Sequence, residues 1–257
     1  FRATQPSNSK IVSLNWQDND WFPEVLNEQR LEDKDKRPDQ YEWIWDGGFQ
    51  VYSEGSYYST ELRRAKDEDR ITKVRYDRGK GVITSWDLGI GDSTSVVFAQ
   101  FIGAEIHIID FYEASGAGLE HYVKMLQDKG YVYDQHVLPH DVRVRELGSG
   151  KSRVEMLEEL GIHNIEIAPQ LLIDDGIQQV RTMLDKCYFD EVQCEKLIDS
   201  LLAYSREWDD NGMTWRMRPK HDWSSHAADA MRYLAIGYRP FNENWDKPLR
   251  RNLQGVV

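Results

Sequence analysis

Between residues 82 and 112 the chain reads as three apolar runs separated by short polar or glycine-containing breaks. The first, Val82 to Asp87, opens on Val82, Ile83 and Thr84, residues that fit a buried strand. Thr94 to Phe101 predicts a second strand. Glu105 to Tyr112 predicts a third, turned at Gly103-Ala104. The period then changes. Leu119, Tyr122, Val123 and Leu126 recur at helical spacing, so Gly118 to Lys129 is expected to be a helix stopped by Gly130. Tyr131 to His140 reads as a fourth strand and Asn164 to Ala168 as a short fifth. Between them Ser152 caps a helix from Arg153 to Leu160 that Gly161 ends. Asp174 to Cys187 and Glu191 to Arg206 read as amphipathic helices. The turn Asp209-Asp210-Asn211-Gly212 leads into a strand from Met213 to Arg218. A last helix runs from about Trp223 to Gly237. Three hairpin-connected antiparallel strands followed by alternating strands and helices predict a mixed α/β sheet flanked by helices.

Residues 1–80 do not share this pattern. They carry charge runs such as Glu28 to Gln40, and Trp16, Trp21, Trp43 and Trp45 among the nine tryptophans of the chain. An arm with one or two short helices is expected there, with Glu61 to Arg78 a solvated helix or loop. The main domain is expected over residues 81–238 and a tail over 239–257. At 257 residues the chain can bury one sizeable core and an appendage. The 40% hydrophobic and 30% charged content indicates a soluble globular class. No apolar run approaches the roughly 20 residues of a membrane helix, and no signal peptide is read. The missing initiator Met suggests a fragment or processed chain. Two cysteines, Cys187 and Cys194, point to a reducing compartment rather than a disulfide framework. A net charge of −12 counts against a nucleic-acid partner. It counts weakly, because binding needs only a local basic patch and clustered metal-binding acids add to the negative total.

Asp87 ends an apolar strand, where a carboxylate is costly unless paired or metal-bound. Gly89 and Gly91 then permit a tight turn beside it. The ordinary alternative is an Asp capping its own turn. Asp141 closes strand four in the same way. If the two strands are parallel neighbours, both acids emerge at one sheet end, where α/β sheets hold ligands; a loop or helix-cap role is the alternative. Asp222, His226 and Asp229 are spaced i, i+4 and i+7, so they share a face if the last helix reaches back that far. The small pair Ala227-Ala228 would let this helix approach a sheet closely. Carboxylates converging in this way make a hard-oxygen site suited to Mg²⁺ or Mn²⁺ rather than Zn²⁺. Two basic groups are candidates for a phosphate backbone. One is Arg143, Arg145, Lys151 and Arg153. The other is Arg216, Arg218 and Lys220, which alternate with Met213, Trp215 and Met217 on a strand expected to lie over the core. A charge-protected edge strand explains the second group equally well. Gly148 to Ser152 imitates the end of a P-loop, but Arg145 stands where that pattern needs Gly, so no nucleotide site is expected.

As an ordered set, WDLGIGDSTSVV (Trp86 to Val97), HVLPHD (His136 to Asp141), DGIQQVR (Asp175 to Arg181) and HAADAMRY (His226 to Tyr233) resemble the C-terminal nuclease domain of the large terminase subunit of tailed bacteriophages. That domain is ribonuclease H-like. Asn15 to Phe49 looks like the tail of the motor's ATPase region and its linker. The resemblance implies a metal-dependent endonuclease that cuts concatemeric viral double-stranded DNA during genome packaging. Its acidic triad would fall on Asp87, Asp141 and Asp229, with Asp222 and His226 as further candidate ligands. Two Mg²⁺ or Mn²⁺ ions roughly 4 Å apart would carry phosphodiester hydrolysis, with Asp87 bridging them. Backbone contacts carry no sequence information, so cutting should be largely sequence-independent. Portal and small terminase subunit would be partners, the host cytoplasm the location. No ATPase activity is expected, because the Walker motifs are absent. Competing expectations are another ribonuclease H-like enzyme, of junction-resolvase or transposase type, and a non-catalytic docking module of the packaging motor that uses the aromatic arm and the tail.

Overall fold

The structure is a computed structural model, and it describes residues 14–36, 41, 44–47, 55–89, 93–145, 150–209 and 212–238. The arm begins with a 3₁₀ turn at Trp16–Asp18 and helix α1, Glu24–Lys36. A small aromatic cluster organises it. Phe22 packs on Trp16 and edge-on to Trp45, and Arg30 lies over the Trp16 ring at 4.0 Å. Trp21 stays 89% exposed, and Trp43 lies outside the described residues.

Helix α2, Ser59–Asp67, and strand β1, Ile71–Thr72, follow within the stretch expected to be solvated. Leu62 and Ala65, three apart on one face of α2, are buried among otherwise charged neighbours. Strands β2 (Val82–Asp87), β3 (Ser93–Ile102) and β4 (Glu105–Ser115) are antiparallel and consecutive. Helix α3 spans Leu119–Lys129, and Gly130 ends it at φ +64°, where a side chain would be strained. Strand β5, Tyr133–Leu138, runs parallel to β2, with Ser85 opposite Val137. Helix α4, Arg153–Glu159, carries the expected Ser152 cap as a full capping box with Glu155. Strand β6 is Ile165–Ile167, helix α5 Ile173–Leu184, strand β7 Cys187–Asp190 and helix α6 Glu195–Ala203. Strands β8 (Arg206–Asp209) and β9 (Thr214–Pro219) form a separate hairpin, and helix α7 is Ser225–Gly237.

The main sheet has the order β1-β7-β4-β3-β2-β5-β6, with β5, β6, β7 and β1 parallel to their neighbours. It is the mixed α/β arrangement expected from the pattern. Both faces are covered, so β3 reads Val96-Val97-Phe98-Ala99 without polar alternation, all four at 0% exposure. Trp86, Val96 and Phe98 face α3 and α4, while Ile83, Val97 and Ala99 face α5, α6 and α7. Tyr57, Tyr58 and Leu62 join that second core, upstream of the residue 81 expected as the start of the domain.

Two expectations are corrected. The helix expected to reach Cys187 ends at Leu184, and the one expected from Glu191 begins at Glu195; between them lies strand β7. Its partners are Ile106 to Ile108 of β4 and Ile71 to Thr72 of β1, both remote in sequence, so no local period marks it. The basic strand β9, expected to lie over the core, pairs with β8 in a hairpin apart from the main sheet, with Met213 just ahead of it 75% exposed and Trp208 meeting Trp215 edge-to-face at 4.9 Å.

Candidate active site

Asp87 is the last residue of β2, the strand between β3 and β5. Its side chain lies on the α7 face, as do those of Ile83 and Ser85, because alternate residues share a face. It is 16% exposed, and its Oδ2 receives a hydrogen bond from His226 Nδ1 at 3.0 Å. Asp141 reaches the same sheet end from the next strand. The β2–β5 register, carried on from Ser85–Val137, brings Asp87 level with Pro139. Asp141 follows in the exposed 3₁₀ turn His140–Arg143.

Helix α7 supplies the third acid. It packs closely because Ala227, Ala228 and Ala230 are small and fully buried, and because Gly237 leaves room. A Cβ at Gly237 would stand 2.4 Å from Val137 Cγ1 of β5. Ser85 Oγ donates to the Ala230 carbonyl at 2.7 Å and fastens helix to strand. His226 and Asp229 lie three apart on this helix, facing the end of β2. Burial, opposed by Arg232 and reinforced by the charge of Asp87, raises the Asp229 pKa from 3.8 to about 6. Burial, and after it the Asp229 carboxylate, raises the pKa of the neighbouring Tyr233 phenol against Arg232, with smaller contributions from Asp87 and Asp141. Among the described residues, no three His, Cys, Asp or Glu side chains stand close enough together to form a ready metal cage.

Asp222 stands apart. Helix α7 starts at Ser225, so the i, i+4, i+7 face does not extend to it. Its Oδ1 accepts from Ser224 N at 3.0 Å and Ser224 Oγ at 2.6 Å, and Lys220 lies 3.3 Å from Oδ2. Burial works to raise its pKa, but those bonds outweigh it and hold it low. It orders the approach to the helix.

Most of the basic candidates have acidic neighbours. Lys151 Nζ bonds Glu159 at 2.6 Å and Arg145 meets Glu155 at 3.4 Å. Arg216 lies against Glu207 and Asp209, and Arg218 against Glu207 at 2.7 Å. Arg143 and Arg145 line a cleft of about 460 Å³ with Glu155, Glu158 and Glu166 at the β6 edge. Arg153 follows the Ser152 cap on α4. Gly148 and Ser149 of the P-loop-like stretch, the turn residues Asp210 and Asn211, and the tail from residue 239 lie outside the described residues. No helix among the described residues is long and apolar enough to cross a membrane.

No protein-family model and no curated protein matches the chain. Solved structures do. The large terminase of a thermophilic bacteriophage, in complex with ADP, superposes with a TM-score of 0.54 at 18% identity, over 73% of this chain and 46% of that one. The nuclease domain of the P22 large terminase gives 0.51 at 15% identity, over 66% and 88%. The large terminase nuclease of thermophilic phage G20c with bound cobalt gives 0.51 at 14% identity, over 73% of this chain and 100% of that one.

The fold is that of the large-terminase nuclease domains. The chain spans about half the length of the ADP-bound terminase it matches. In this terminase-nuclease fold the residues that sequence reasoning missed lie behind the acids. Arg232 binds Asp229 Oδ1 at 2.8 Å with its side chain 12% exposed. Tyr58, buried and stacked on Tyr204, has a phenol pKa raised by burial and by Asp229. Arg232 stood in the HAADAMRY motif, three residues after Asp229, but i, i+3 pairs are ordinary on helix surfaces and the burial is not visible in sequence. Tyr58 carried no signal, because its contacts come from elements far along the chain.

Proposed function

We propose that this chain is the DNA-cutting portion of a phage packaging terminase, a metal-dependent endonuclease acting on double-stranded DNA by phosphodiester hydrolysis. One observation carries the reading: Asp87 at the end of β2 is hydrogen-bonded to His226 of α7, Asp229 lies one turn further along that helix, and Asp141 follows β5 at the same end of a ribonuclease H-like sheet. The terminase nuclease of G20c has been solved with cobalt and with magnesium bound, which supports the same ion class here. The donor set fits. Asp87 and Asp229 each commit one oxygen to a partner on α7, leaving Asp87 Oδ1 and Asp229 Oδ2 for hard divalent ions such as Mg²⁺ or Mn²⁺. Asp141, exposed on its turn, would complete the set by side-chain rotation.

Held by Asp87, Asp141 and Asp229, two such ions would supply an activated water and neutralise a leaving oxygen. The protein's own part is orientation. His226 fixes the rotation of Asp87, and the β2–α7 bond through Ser85 fixes the distance between their elements. Arg143, Arg145, Lys151, Arg153, Arg216, Arg218 and Lys220 would neutralise phosphates once DNA displaces their acidic neighbours. That competition and the net charge of −12 make DNA binding weak and steeply salt-dependent. Portal and small terminase subunit are the proposed partners and the host cytoplasm the proposed location.

Plasmid cleavage tests the reading. Wild-type chain should nick and linearise plasmid with Mn²⁺ or Mg²⁺, and Asp87→Ala should abolish this with an unchanged circular-dichroism spectrum. Full activity of Asp87→Ala would refute it. Preference for branched over linear DNA would favour a junction enzyme, and absence of both cleavage and metal binding a docking module.

A further inference from the structure

The pair Arg232–Asp229 differs from the surface pairs of this chain. Arg232 donates from Nη2 to Asp229 Oδ1 at 2.8 Å, and only 12% of its side chain is exposed. Its stem crosses helix α5 at Gly176, where a Cβ would stand 2.6 Å from Arg232 Cδ and 2.8 Å from Cγ. The guanidinium lies 5.3 Å from the Tyr233 ring centroid, and its Nε is buried with no hydrogen-bond partner among the described residues. A charged group is therefore kept in the interior with one donor idle. Helix α5 carries a glycine to admit it, where alanine would favour the helix more.

Stability alone accounts poorly for this. Buried ion pairs can often be replaced by apolar side chains of similar volume with no loss of stability. What the pair does accomplish is orientation. Arg232 holds one oxygen of Asp229 as His226 holds one oxygen of Asp87, so the free oxygens of both acids are presented from fixed rotamers. Groups behind a ligating carboxylate set its direction and its basicity in this way.

We propose that Arg232 is a positioning residue for Asp229, and that Gly176 is the socket through which it reaches. Arg232 acts through Asp229 and not on DNA. The proposal rests on the nuclease reading above and deepens it.

The test uses the full chain and Mn²⁺ as probe. Calorimetry without DNA gives the Mn²⁺ affinity of wild type, Arg232→Met, Arg232→Lys and Gly176→Ala; plasmid cleavage against Mn²⁺ concentration and metal-free melting curves accompany it. Arg232→Met should weaken Mn²⁺ binding about tenfold or more while still melting cooperatively. Arg232→Lys, with the same charge and a stem that fits the socket, should recover most of that affinity. Gly176→Ala, which leaves both charges in place but displaces the stem, should lose affinity in the same direction. Wild-type affinity and cleavage in Arg232→Met would overturn the proposal. If Arg232→Met does not fold, Gly176→Ala decides: weakened Mn²⁺ binding supports the socket, and unchanged binding overturns it. A wild-type chain that neither binds Mn²⁺ nor cuts DNA refutes the nuclease reading and this role with it. An active wild type with an indifferent Arg232→Met refutes only the role.

Discussion

Asp229→Asn should make the metal-free protein more stable while removing its activity. Asp229 titrates near pH 6 instead of 3.8, with Arg232 already working in the opposite direction. Two pH units correspond to about 3 kcal/mol by which the fold prefers the neutral carboxyl. With 27% of the side chain exposed, water screens part of this, and about 1–2 kcal/mol is the expected effect. Asparagine imitates the neutral acid in shape and leaves Arg232 as it stands beside a protonated Asp229. At roughly 2–4 °C per kcal/mol for a domain of this size, the melting temperature should rise by about 4 °C. The sign of the pH dependence follows from proton uptake. Between pH 4 and 6 the folded state holds a proton that the unfolded chain has released, so this group's contribution declines as pH rises through that window and is level above it. The assay is thermal melting in EDTA from pH 4.5 to 8, as the difference between wild type and variant, with a second series in Mn²⁺. Metal should stabilise wild type and not Asp229→Asn. A variant less stable than wild type at pH 7.5 in EDTA, or a difference that does not change between pH 4.5 and 7, would refute the reasoning.

The buried His136 should act with the opposite sign. Desolvation lowers its pKa from 6.5 to about 4, so its contribution is complete above 6.5 and is lost as pH falls toward 4; urea midpoints of His136→Gln should fall less between pH 7 and 4.5 than those of wild type. Gly237→Ala should cost about 1–3 kcal/mol in urea unfolding, because its Cβ would be driven into Val137 and Ala168.

Strand β2 was legible because it is a contiguous apolar run ending in a carboxylate; β5 is buried only in its second half, and Asp141 stands three residues past its end. Val82–Asp87 has the bounds read from sequence, and the pairing of β2 with β5 is the parallel neighbour relation on which the reading depended. Helix α4 was legible from its cap alone, since Ser152 and Glu155 act locally. Strand β7 was not. Four residues between two amphipathic helices carry no period of their own, and what makes Cys187–Asp190 a strand is Ile106 to Ile108 on one side and Ile71 to Thr72 on the other. The packing of helix α2, in a stretch expected as a solvated helix or loop, was hidden for the opposite reason: Leu62 and Ala65 are buried among charges that dominate any count. Asp222 would share the helix face only if the helix reached back that far, and it does not: α7 begins at Ser225, and Asp222 bonds Ser224 just ahead of it.

Helix α7 gives the site its unity. It supplies Asp229, the His226 that steadies Asp87 and the Arg232 that steadies Asp229. Its depth against the sheet is set at two points, the Ser85–Ala230 hydrogen bond near the acids and the Gly237–Val137 approach at its far end. Asp87 and Asp141 are set independently, by β2 and by the turn after β5. A change that lifts α7 by the width of one methyl group therefore moves three groups together relative to two that stay behind. Because Gly237 lies several turns from the chemistry, its substitution should weaken metal binding by way of helix depth alone, and an unaltered Mn²⁺ affinity in a folded Gly237→Ala protein would show that the acids are held without it.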